Sequence, residues 1–348
     1  MLSRTARACL GVLLCLAAVS SSDGQGSRGG VDAEAQDYLG TPRSEEAIRR
    51  GLEWLASKQL PSGNWESGPY RDDAAVAGLC VMAFLASGHE PGRGRYGALV
   101  EKAVDWLAES VQRNGLVARG GSAGPPMYGH GFATLALAEL YGMTKRTDLL
   151  PKLQSAVELI CATQNREGGW RYQPQAADAD ISVTAVQVMA LRAAHNAGIP
   201  VPADTVKRAV GYIKKCANNP DGGFSYQANI RGSGPARTGA AITCLILSGE
   251  RKAPEVQAGL RYLREHPMDR YEWMYRQHYF YALYYCTQAF YQVGGEPWRA
   301  WFAPLRDRLV EQQRRDGSWT DSPGEAYATA MAILTLQVPA GLLPIYQK

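Results

Sequence analysis

About every 50 residues this chain repeats one phrase: an apolar helical stretch, a Gly-x-aromatic corner, then a second and greasier helical stretch. The corners read Gly63-Asn64-Trp65, Gly115-Leu116-Val117, Gly168-Gly169-Trp170, Gly222-Gly223-Phe224, a degenerate copy near Trp273, and Gly317-Ser318-Trp319. A period of this length marks a repeat architecture, because one such unit cannot bury its apolar face without its neighbours.

The two helices of a unit differ in kind. In the first, apolar residues fall on one stripe: Ile48, Leu52 and Leu55, then Leu153, Val157 and Ile160, then Val206, Val210 and Ile213. The second helices, such as those running from Ala74 to Met82, Val183 to Leu191 and Ala328 to Leu334, are apolar nearly all round, so they must be enclosed. Alternating one-sided and all-round helices predict two concentric layers. The fold expected is therefore all-α, a single (α/α)6 toroid, or double-layered helical barrel, over residues 44–348. At the corners, Gln59, Gln112, Gln164, Asn218 and Gln312 are placed to satisfy free backbone groups at helix ends.

Ahead of the repeats, residues 1–22 carry Arg4 and Arg7, an apolar run from Cys9 to Val19 and then small residues, the layout of an export signal peptide. Residues 23–43 are polar and aperiodic, a flexible leader. The localisation expected is exported, with no membrane-spanning segment in the mature chain. Losing Arg4 and Arg7 leaves 35 of the 37 basic residues against 33 acidic ones, a net +2, which favours neither nucleic acid nor an anionic membrane as partner. Of the cysteines, Cys80, Cys244 and Cys286 read as small buried hydrophobes, while Cys161 and Cys216, at matching ends of first helices, are a conceivable but geometrically awkward disulfide.

The Gln-to-Gly-x-Trp corners on paired helices resemble the repeats of the squalene cyclase and protein prenyltransferase β-subunit superfamily, from about Glu45 onward. Within that span, Gly168 to Gln173, Asp178-Ala179-Asp180 and the helix from Thr184 to Leu191 are similar to the stretch of class II terpene cyclases that bears the Asp-x-Asp-Asp acid motif. In that family the middle aspartate protonates an alkene or epoxide. Aligned on the Asp-x-Asp letters, the acid is Asp180, with Ile181 replacing the last aspartate. Aligned on the following helix, Ser182 falls at the proton donor's place, and a serine cannot protonate an alkene. The prenyltransferase zinc site is poorly matched, because Asp180 stands where the soft thiolate belongs; no cofactor or metal is expected.

The equivalence of the corners predicts that the residues opening each inner helix meet at one rim: Asp72 and Asp73, His130, Asp178 and Asp180, Arg237, His278 with Tyr279, and Glu325 with Tyr327. The alternative for the acids is that they cap helix starts. Aromatics crowd the fifth unit, Tyr271, Trp273, Tyr275, Tyr279, Phe280, Tyr281, Tyr284 and Tyr285 among them, with Tyr279 nearest the expected rim. Gly120-Gly121-Ser122-Ala123-Gly124 fits an esterase pattern but follows no strand, and reads as a loop. The function expected is binding or transformation of an apolar, isoprenoid-like small molecule in the barrel, with a degenerate acid motif. The alternatives are a non-catalytic scaffold whose rim holds a protein or glycan, and a carbohydrate-active enzyme using paired carboxylates.

Overall fold

The computed structural model describes residues 39–119, 124–268 and 278–348. All of them fall within one compact unit, Asp37–Lys348. The expected export signal, most of the leader, four residues of the esterase-like loop, and Tyr271, Trp273 and Tyr275 lie outside the described residues.

Twelve α-helices and no strand occur among the described residues: α1 Pro42–Lys58, α2 Ala74–Ala86, α3 Gly97–Glu109, α4 Pro126–Thr144, α5 Leu150–Ala162, α6 Ile181–Asn196, α7 Ala203–Lys215, α8 Pro235–Leu247, α9 Pro254–Glu265, α10 Tyr279–Val293, α11 Gly295–Gln312 and α12 Glu325–Gln337. Helix α1 begins just inside the span expected to be leader, where Thr41 and Ser44 form a reciprocal capping box.

The even-numbered helices pack in the order α2, α4, α6, α8, α10, α12 and back to α2, so the inner ring closes. The odd-numbered helices lie outside it. In α7 only Thr205, Ala209, Tyr212 and Ile213 are buried, whereas nearly every residue of α2 and α12 is. The observed fold is thus the double-layered toroid that the alternation of stripes requires.

The corners hold the layers together by a repeated set of bonds. The indole Nε1 donates to a carbonyl ten residues earlier in the preceding outer helix: Trp65 to Leu55 at 2.7 Å, Trp170 to Ile160 at 2.8 Å and Trp319 to Leu309 at 2.8 Å. An amide after the outer helix bridges its own corner to the next outer helix, as Gln59 does to Gly63 O and Leu99 O, both at 2.9 Å. In the fourth and sixth units Asn219 and Gln313 make the bond to the corner, not Asn218 and Gln312 as expected, because the bond spans four residues to the corner carbonyl, as Gln59 to Gly63 does. Gln313 also donates to Ala47 O at 2.8 Å, tying the last unit to the first.

The corner glycine has its own steric reason. Gly317 sits at φ +94°, and a Cβ there would come within 2.7 Å of the Arg50 carbonyl on α1. Gly63, Gly115, Gly168 and Gly222 meet the backbone of the next outer helix in the same way. All five described cysteines are free, so the Cys161–Cys216 pairing does not occur.

Candidate functional site

The mouth of the toroid is built from the corner that follows α5. The Asp180 amide donates to the Trp170 carbonyl at 3.0 Å, which turns the chain into α6 with Asp180 as its N-cap. Its Oδ1 accepts the Ser182 amide at 2.8 Å and the Val183 amide at 2.9 Å. The other oxygen, Oδ2, is fully buried and lies 3.7 Å from Arg171 Nη1 without a hydrogen bond. Burial pushes the Asp180 carboxyl up to about 6, against the pull of the Val183 amide, the Arg171 charge, the Ser182 amide and the Tyr226 hydroxyl.

Arg171 is held between two rings, 4.7 Å from the Tyr172 centroid and 5.5 Å from that of Tyr226, whose hydroxyls are 2.5 Å apart. Its Nε lies 3.5 Å from the half-exposed Asp178, which also accepts a bond from Gln227 at 3.0 Å.

Two residues beyond Asp180, Ser182 faces the hydroxyls of Tyr128 on α4 and Tyr281 on α10. Helices α4 and α10 are opposite members of the inner ring, so side chains reaching one serine from both must lie near the axis. Tyr327 on α12 joins them, within electrostatic reach of Tyr128, Tyr70 and Asp321. Burial raises the phenols of Tyr128, Tyr281 and Tyr327 well above their usual range, so all three are neutral hydroxyls. Asp321 is also raised by burial, against the Ser322 and Phe280 amides and the charge of His278.

Asp180, Ser182 and Tyr327 are therefore gathered at the mouth, with Asp73 capping α2 through the Ala75 and Val76 amides at its edge. Other side chains expected at the rim turn elsewhere. Helical geometry gives the reason: two residues along an α-helix is a rotation of about 200°, nearly to the opposite face. Tyr128 faces the axis, so His130 faces outward, where it is fully buried and its Nδ1 accepts the Val117 amide at 3.1 Å. Tyr281 faces the axis, so Tyr279 faces outward, where Gln312 of α11 donates to its hydroxyl at 3.3 Å. Glu325 pairs with Arg314 at 3.5 Å, Arg237 donates to Ser233 O at 3.1 Å, and the exposed Asp72 accepts from Asn64 at 2.9 Å within its own corner. His278 is exposed at φ +69° and lies beside Asp321. The expectation of one convergent ring of charge is corrected to a smaller, tyrosine-rich mouth.

The mouth residues that the letters did not single out are Arg171, Tyr128, Tyr172, Tyr226 and Asp321. For Tyr172, Tyr226 and Asp321 the signal is positional: with Ser67 they stand two residues past the corner aromatic, all turned toward this end of the barrel. Chemically, the mouth offers aromatic faces, neutral hydroxyls and two carboxyls of raised pKa. No group of three or more His, Cys, Asp or Glu able to hold a metal ion occurs among the described residues. None of the described helices is long and apolar enough to cross a membrane.

Comparison with known proteins places the architecture. The family model for the squalene-hopene cyclase C-terminal domain matches residues 125–293, which span α4 to α10 and so include Asp180, Ser182, Tyr128 and Tyr281. Among solved structures, the type II terpene cyclase MstE from Scytonema, in complex with geranylgeranyl dihydroxybenzoate, is 15% identical with a TM-score of 0.58, covering 86% of this chain and 98% of that one. The alpha-1,6-mannanase of a Salegentibacter species is 7% identical with a TM-score of 0.65, covering 86% and 99%. A protein from Actinoplanes is 19% identical with a TM-score of 0.57, covering 87% and 99%. No curated protein matches the sequence. The chain is a squalene-cyclase-like α/α toroid, and at these identities the structural likenesses speak to fold alone.

Proposed function

We propose that this toroid, exported from the cell, binds an apolar, isoprenoid-like ligand across its tyrosine-lined mouth, and that it does not initiate cyclisation by protonating an alkene. One observation carries the reading. Ser182 occupies the axis-facing place in the first turn of α6, between Tyr128 and Tyr281, while Asp180 is turned aside into a cap and toward Arg171. A serine hydroxyl is far too weak an acid for an alkene. Ring faces with neutral hydroxyls suit an apolar chain that carries little charge.

The tyrosines set the depth of the site. Tyr281 and Tyr285 pack at 4.6 Å between centroids and Tyr284 and Tyr285 at 5.2 Å, a column of rings that favours a ligand lying at the mouth over one threaded through the barrel. The carbohydrate reading has less support. It needs two available carboxyls about 5–10 Å apart, and Asp73, Asp178, Asp180 and Glu325 are each engaged by an arginine or a helix start, while both oxygens of Asp321 accept backbone amides, from Ser322 and Phe280.

The test is direct binding. A polyprenyl alcohol titrated into the protein lacking residues 1–22 is expected to change its intrinsic fluorescence saturably, and Ser182→Phe, which places a bulky ring between Tyr128 and Tyr281, is expected to abolish the effect with the thermal midpoint retained. Equal binding by Ser182→Phe, or saturable binding of a mannan oligosaccharide instead, overturns the reading.

A further inference from the structure

The end of the inner ring opposite the mouth is closed by the chain itself. The short 3-10 turn Pro344–Tyr346 packs on α4 and α6. From one side, its Ile345 amide donates to Glu139 Oε2 of α4 at 3.2 Å; from the other, Gln292 Nε2 of α10 donates to the Tyr346 carbonyl at 3.3 Å. Because α4 and α10 stand across the ring from each other, a turn bonded to both crosses the axis. The Tyr346 side chain is 1% exposed, and its hydroxyl faces that of Tyr284 on α10.

The fit around Glu139 is incomplete. Its Oε1 is buried without a hydrogen-bond partner among the described residues, so the Ile345 amide is the donor that holds this carboxyl. The titratable groups facing it are Tyr284 from α10 and Tyr346 from the turn, both raised by burial and both neutral. A carboxylate enclosed among uncharged groups with one amide donor is strongly disfavoured. Burial accordingly lifts the Glu139 carboxyl to about 8, which leaves it neutral at neutral pH.

We propose that the floor of this barrel is a pocket for a phenol-sized aromatic ring, filled in cis by Tyr346 and vacated when Glu139 ionises. The Ile345 amide favours the carboxylate, but ionisation leaves the unpartnered Oε1 in need of water, and the turn, only three residues long and fastened at two points, is the element that gives way. Release of the turn empties the Tyr346 site at the end of the inner ring away from the mouth. This holds whatever the mouth binds.

Two measurements on the full chain test it. The first is hydrogen exchange of the peptide spanning residues 341–348, corrected for the intrinsic pH dependence, at about pH 6 and about pH 9. Protection is expected to fall about tenfold or more in the wild type, with the inner helices still protected, and to stay level in Glu139→Gln. The same fall in both proteins overturns the proposal, as does a loss of protection spread evenly over all helices. The second is rescue: p-cresol is expected to raise the thermal midpoint of Tyr346→Ala at about pH 6, and that of the wild type only at about pH 9, as an emptied apolar cavity takes up a small ring. If Tyr346→Ala does not fold, the wild-type comparison at the two pH values decides. Absence of any p-cresol effect on the wild type at about pH 9 overturns the pocket.

Discussion

His130 Nδ1 accepts the Val117 amide at 3.1 Å, the same service that Thr184 performs for Trp170 at 3.1 Å, Thr238 for Phe224 at 3.0 Å and Thr329 for Trp319 at 3.0 Å. The expected rim acid or base is a corner tether, at a corner that carries valine in place of an aromatic ring. The backbone of Ala156 in the outer layer lies close to its ring.

His130→Ala is expected to destabilise the fold by about 2–4 kcal/mol, since it leaves a cavity and an unpaired buried amide. Urea unfolding measures this. Burial lowers the His130 pKa from 6.5 to about 4, so its contribution is present above about 6.5 and is lost as pH falls through 4. The wild type is therefore expected to lose stability between those values more steeply than His130→Ala does.

Gly317→Ala is expected to cost about 2–4 kcal/mol, more than an exposed glycine substitution, because a positive φ is combined with a clash against the Arg50 carbonyl. The loss falls on the contact that closes the outer layer. Thermal unfolding of this variant beside Gly249→Ala, which is at φ +89° but meets nothing within 4 Å, separates the clash from the positive φ alone.

Asp180→Asn keeps a side-chain oxygen for the Ser182 and Val183 amides, so its thermal midpoint is expected to stay close to the wild type, while Asp180→Ala loses about 1–2 kcal/mol. A fall as large for Asn as for Ala would show that the Arg171 pairing, at 3.7 Å, contributes more than the cap.

In the protein lacking residues 1–22, only the half-buried Cys161 is expected to react promptly with a thiol reagent. Cys80, Cys216, Cys244 and Cys286 are buried, and burial raises every one of their thiols away from the reactive thiolate. Counting modified thiols before and after denaturation checks this.

Much of the architecture was legible in the letters. Glycine at a positive φ, an indole with a donor to place, and a helix apolar on one side or on all sides each restrict local structure strongly, and six repetitions leave a closed double ring as the consistent solution. The site was legible only in part. The spacing to the corner points to Asp180 and Ser182, but it points equally to His130 and Tyr279, whose neighbours two positions away, Tyr128 and Tyr281, are the ones that face the axis.

Local sequence, then, determined the helices, the corners and the two layers, because those depend on contacts within a unit and between adjacent units. Which face of each inner helix looks down the axis depends on the rotation at which that helix packs on both neighbours. That rotation is set by the assembled ring, and no single repeat encodes it. The same holds for the floor, where Glu139 and Tyr284 meet Tyr346 from opposite sides only after the ring has closed.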